Sequence, residues 1–121
     1  MVESYRDLKV WQKAMDLAEM IFTLTLRLPR EQIYGMSAQM QRAANSAPSN
    51  IAEGHARDST KEYLYFISVS LASIAELETQ LLLCGRVKFL SENEVTKALS
   101  LSDEVGKMLR SIQRGLKEKL N

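Results

Sequence analysis

The sequence predicts an all-α protein, an antiparallel up-down-up-down four-helix bundle. Three observations predict it. Apolar residues recur at three- and four-residue spacing along most of the chain. Only five Gly and two Pro interrupt it, and no alternating run bounded by turns marks a strand. Two pairs with capping-box spacing, Ser59 with Glu62 and Ser91 with Glu94, each open a long apolar-periodic segment. Helices of about 20–28 residues would be roughly 30–42 Å long, and long helices with short joints pack antiparallel.

The first helix is predicted over about residues 5–28. Leu8, Trp11, Met15, Ala18 and Phe22 form one apolar row; Val10, Ala14, Leu17, Ile21, Leu24 and Leu28 form a second. Together they exceed the stripe one core needs. The helix is therefore either buried on two sides within the domain or meets another subunit with its second side. Pro29 ends it by pushing the preceding residue out of the helical region. The second helix covers about 36–56, with Pro48 predicted to kink or break it and Gly54 to loosen its end. The third runs over about 59–84, with Gly85 as terminator. The fourth covers about 91–119.

The second helix has an unusual polar face. Gln39, Arg42, Ser46, Asn50 and Glu53 share it, opposite Met40, Ala43, Ala44, Ala47 and Ile51. The residues are short and only two are charged, which suggests a stripe held close to another helix. Ser70, Ser73, Glu76 and Gln80 make a similar stripe on the third helix. Two antiparallel helices joined near residue 57 place the stripes face to face, with Arg42 level with Glu76 and Ser46 with Ser70 or Ser73. An Arg42–Glu76 ion pair is the expectation. An acid–base site built on Arg42, Asn50 and Glu53 is the competing reading, but no nucleophile, Gly-rich loop or cofactor motif accompanies them.

Length and composition bound the rest. A chain of 121 residues forms one domain with a single core. The net charge of +1 excludes a polycation overall, yet residues 107–121 carry five cations against Glu118 alone. Cys84 is the lone cysteine, so no intrachain disulfide forms and a reducing, cytoplasmic setting fits. The N-terminal stretch lacks the apolar core of a signal peptide, and polar residues break the apolar region 63–84, so no membrane association is expected.

Residues 28–54, from Leu-Pro-Arg-Glu-Gln-Ile-Tyr-Gly through Ser46-Ala-Pro-Ser-Asn-Ile-Ala-Glu-Gly54, closely resemble the four-helix-bundle proteins of the 23S rRNA intervening-sequence family. Leu8–Ala14 looks like that family's opening helix, and Ala75–Leu81 like its third-helix signature. The resemblance implies a ring-like homopentamer and a link to RNA. A similar fold serves as the accessory protein of diversity-generating retroelements, where it binds nucleic acid and a reverse transcriptase. No catalytic residues come with the family. Gln41 stands where the family often has Arg, Asn45 where it has an apolar residue, and Ala72–Ser73 where it has Gly-Ser. Losing the Arg at position 41 weakens the positive charge that nucleic-acid binding would use.

Candidate sites are few. Lys107, Arg110, Arg114 and Lys117 share a face of the fourth helix and are the candidate nucleic-acid contacts; a solvated helix end whose cations favour the dipole is the plainer alternative. No aromatic residue interleaves with them to offer a stacking platform. His55 and Glu53 fall on different faces of a helix and no Glu-x-x-His pair exists, so neither metal nor cofactor is expected. Cys84 reads as core packing, Trp11 as a packing anchor, and at least one of Tyr63, Tyr65 and Phe66 as a subunit contact. The leading expectation is a non-enzymatic oligomer that binds or scaffolds RNA or a ribonucleoprotein partner. The alternatives are a protein-interaction module without nucleic-acid affinity, and an enzyme with its site between subunits.

Overall fold

The computed structural model describes residues 3–121; Met1 and Val2, part of the N-terminal stretch read above, lie outside them. Four α-helices make up the fold: α1 (Lys9–Thr25), α2 (Met36–His55), α3 (Thr60–Arg86) and α4 (Glu92–Leu120). Among the described residues there is no strand. α1 packs on α2 and α4, and α3 packs on the same two helices from the opposite corner. Side-chain contacts fix the directions. Ser73 meets Ser46 while Cys84 meets Met40; Ser68 meets Gln113 while Glu78 meets Ser102. As one number of each pair rises the other falls, so α3 runs antiparallel to both α2 and α4.

The core is the second apolar row of α1, including Val10, Ala14, Leu17 and Ile21, closed against Met40, Ala44 and Ile51, Ile67, Leu77 and Leu81, and Val105 and Leu109. Each residue of this set lies at helical spacing on its own element, so one stripe per helix meets at the centre. Cys84 is fully buried, its Sγ 3.7 Å from Met40 Sδ, and burial pushes the thiol pKa up. By length and composition α3 is apolar enough to cross a membrane, but one arc of it packs on α2 and α4 here.

The helix ends differ from expectation in physically instructive ways. The chain from Tyr5 to Asp7 forms a separate 3-10 turn, because Ser4 and Asp7 complete a capping box of their own and Leu8 turns extended. α1 stops at Thr25 rather than at Pro29; Leu26, Arg27 and Leu28 then donate to carbonyls three residues back, the tightening that satisfies a frayed last turn. Pro48 does not break α2. Beside it, Asn50 Nδ2 donates to the Ser46 carbonyl at 2.8 Å and Ser70 Oγ donates to the Ala47 carbonyl at 2.8 Å. Gly54 lies one residue before α2 ends and allows α3 to approach it, since a Cβ there would meet Phe66 and Tyr63.

Gly85 does not end α3. It lies inside the helix, where a Cβ would come 3.2 Å from Val95 Cγ2. The stop comes one turn later, at Lys88, whose φ is 68°. The Phe89 amide donates to the Cys84 carbonyl and the Lys88 amide to the Gly85 carbonyl, a Schellman closure with lysine in the left-handed position usually held by glycine. Ser91 and Glu94 then cap α4 reciprocally.

Candidate functional site

The two polar stripes meet only in part. Ser73 Oγ lies 2.7 Å from Ser46 Oγ and 3.1 Å from the Val69 carbonyl. One hydroxyl proton serves one acceptor at a time, so Ser46 donates whenever Ser73 turns to Val69. Asn50 Nδ2 also reaches Ser46 Oγ at 2.9 Å. Ser70 and Ser73 are buried, and the small side chains let the helix backbones approach. Gln80 is 6% exposed, and its Oε1 is fully enclosed without a hydrogen-bond partner among the described residues.

The expected Arg42–Glu76 ion pair does not form. Both residues are exposed. The Ser46–Ser73 contact makes residue 43, not 42, level with Glu76. One residue turns a helix by about 100°, so Arg42 is carried out to solvent while Ala43 is buried. Gln39 is exposed as well, and Glu53 is drawn to Arg57 at 3.4 Å on its own helix terminus. Arg42, Asn50 and Glu53 thus do not converge, and among the described residues no acid–base pair lies along the seam.

The candidate cations lie along α4, all exposed. Lys107 pairs with Asp103 at 3.2 Å. Arg110, Arg114 and Lys117 make no ion pair among the described residues. The Arg110 guanidinium folds back over Gly106, where a Cβ would be 3.4 Å from its Nη1, an ordinary contact. The flank next to this stripe was not legible in the sequence. Gln113 Nε2 bonds Ser68 Oγ at 3.3 Å, which brings in the solvent face of α3 with its exposed Ser68, Ala72, Ala75 and Thr79. The cations therefore border a surface of small uncharged residues rather than a field of carboxylates.

Aromatic residues gather around the α2–α3 turn. The Arg57 guanidinium lies 4.9 Å from the Phe66 ring centre, Tyr65 meets Phe66 edge-on at 5.2 Å, and His55 meets Tyr63 at 5.9 Å. Burial pushes the Tyr63 phenol pKa up. The Ser68–Gln113 contact sets Tyr65 level with Leu116, between the levels of Arg114 and Lys117. Tyr65 is exposed, so an aromatic ring stands on α3 at the height of the basic stripe, though it packs on Phe66 and does not interleave with the cations. Trp11 is half-buried, edge-on to Tyr5 at 5.3 Å.

The first apolar row of α1 stays outside. Leu8, Trp11 and Ala18 are half-buried, and Met15 and Phe22 are each 44% exposed. Among the described residues the protomer covers this row only in part: Leu8, Trp11 and Ala18 lean on the edge of the core, while Met15 and Phe22 stay open.

Against known proteins, the family described as 23S rRNA-intervening sequence protein matches residues 6–111. Among solved structures, the chain is similar to a protein of unknown function from the S23 ribosomal protein family of Bacteroides thetaiotaomicron. The TM-score is 0.81 at 26% identity, covering 86% of this chain and 97% of that one. Comparison with curated proteins finds no match.

Proposed function

Since the chain belongs to the 23S rRNA-intervening sequence protein family, we propose that it is a non-enzymatic oligomeric scaffold that holds structured RNA by its phosphate backbone. The observation that carries this reading is the row Arg110, Arg114 and Lys117, exposed, free of ion pairs among the described residues and flanked by the uncharged face of α3. A phosphate backbone needs cations at helical intervals and no opposing carboxylates. Gln113 and Ser68 add hydrogen-bonding groups beside them.

The same reading has copies of the chain covering the α1 row of Trp11, Met15 and Phe22. A contiguous apolar strip of this kind is what a subunit contact buries. The family resemblance points to a ring of five, and a ring repeats the α4 stripe in every subunit, so weak single contacts become strong avidity. The lone buried thiol fits a cytoplasmic setting.

Salt-titrated binding to a structured RNA tests the proposal. Each neutralised phosphate adds about 0.7–0.9 to the slope of log K against log salt. Three cations give a slope of roughly 2–3 per subunit. Arg114→Gln lowers it by one such step. Absence of binding at low salt removes RNA from the proposal and leaves a protein-interaction module, the reading favoured by the bare α1 row. Sedimentation of Phe22→Glu tests the assembly: the wild-type sediments as an oligomer and the variant as a monomer. A monomeric wild-type defeats the ring.

A further inference from the structure

At the end of the bundle remote from the α4 C-terminus, the α1–α2 connection folds over a cavity of about 380 Å³. Thr25, Arg30, Ser37 and Gln41 supply its polar lining, and Leu26 and Ile33 are among its apolar walls. It opens at the N-terminus of α2, a helix of 20 residues. Gln32 Oε1 accepts from the Met36 amide at 3.2 Å. The amides of Ser37 and Ala38 find no acceptor among the described residues, so this end carries unsatisfied donors and the positive pole of the helix dipole.

Ser37 supplies the independent sign of a ligand. The residue is 6% exposed and lines the cavity. Its hydroxyl makes no hydrogen bond among the described residues, yet it is not among the fully enclosed orphan atoms, so the cavity is where it opens. Gln41, one turn on, is fixed by donating to Thr25 Oγ1 at 3.0 Å, which leaves its amide oxygen uncommitted. Arg30 makes no ion pair among the described residues, and neighbouring Glu31 does not line the cavity.

We propose that this cavity binds a phosphate monoester, its oxyanion held by Arg30, the Ser37 hydroxyl and the first-turn amides of α2, and its body resting on Leu26 and Ile33. A helix N-terminus with a free cation and hydroxyl is complementary to a dianion. The site is separate from the α4 stripe and does not rest on it. The monoester comes either from a free nucleotide or from the terminal phosphate of an RNA strand.

NMR titration of the full ¹⁵N-labelled chain tests this, first with inorganic phosphate, then with adenosine 5′-monophosphate, at constant ionic strength. The Ser37 and Ala38 amides shift saturably, and the nucleotide binds more tightly than phosphate alone. Arg30→Gln weakens binding roughly tenfold or more, the worth of a charge-assisted hydrogen bond. Ser37→Ala weakens it several-fold, while Arg114→Gln leaves it unchanged. A 5′-phosphorylated RNA that shifts these amides when its 5′-hydroxyl twin does not identifies the strand end as the source; no shift from either strand identifies the free nucleotide, and equal shifts from both overturn the monoester. Shifts that do not saturate, or that survive both Arg30→Gln and Ser37→Ala in well-dispersed spectra, overturn the proposal.

Discussion

A Cβ on Gly54 would stand 2.8 Å from the Cβ of Phe66 and 3.0 Å from Tyr63 Cδ1. Two helices therefore touch backbone to side chain at the α2–α3 crossing, where neither neighbour is a flexible side-chain end. Alanine is the better helix former by about 1 kcal/mol, yet overpacking costs typically 1–3 kcal/mol. Gly54→Ala is expected to lose up to about 2 kcal/mol in urea unfolding, the overpacking cost less the helix-propensity gain. A gain in stability would show that the crossing gives way easily.

The seam and its rim should separate cleanly on mutation. Ser73→Ala removes a buried contact to Ser46 and is expected to cost about 1 kcal/mol. A cycle with Ser46→Ala should recover coupling between the two sites. Arg42→Ala, at an exposed position without an ion pair, is expected to stay within about 0.5 kcal/mol. Chemical denaturation of the four variants decides both; a large Arg42 effect would mean that a partner had been overlooked.

Lys88 pays a conformational penalty that glycine would not. With φ at 68°, it occupies the left-handed region while closing α3, where an L-residue is disfavoured by roughly 1–2 kcal/mol. Glycine removes that strain but brings greater freedom in the unfolded chain. The net expectation for Lys88→Gly is a gain of about 0.5–1 kcal/mol, read as a higher melting temperature by calorimetry.

Acid should weaken the start of α4. The Glu94 carboxylate accepts from the Ser91 amide at 2.9 Å and meets Arg27 Nε at 2.9 Å. The Ser91 amide chiefly, with the Ser91 hydroxyl and Arg27 behind it, holds the carboxyl pKa below its ordinary value against an opposing pull from desolvation. Unfolding then takes up a proton, so this contribution is present above the ordinary carboxylate value and fades as pH falls through the folded one. Stability measured from neutral pH into the acid range should fall less steeply in Glu94→Gln than in the parent. Parallel curves would remove Glu94 from the account.

The helices were legible because their apolar period is long and seldom interrupted, and because Ser59 and Ser91 announce two of the starts. The stops were less so. Gly85 reads as a terminator by residue type, but its absent side chain makes room for Val95, and the left-handed stop falls on a lysine. Gly54 has meaning only once Phe66 lies across from it. The seam was read to within a residue, and that residue separated buried Ala43 from exposed Arg42. The basic row was visible as a periodicity, whereas the Ser68 flank joins residues far apart in sequence and the cavity depends on how the irregular α1–α2 connection folds back on itself.

Gln80 leaves the protein with room for improvement. Its sealed amide oxygen has lost water and gained nothing in return, and an apolar group of similar shape suffers no such loss. Gln80→Met should therefore harden the molecule from within, raising its tolerance of heat while every outward face stays as it was. An engineer seeking a sturdier version would begin at that one position.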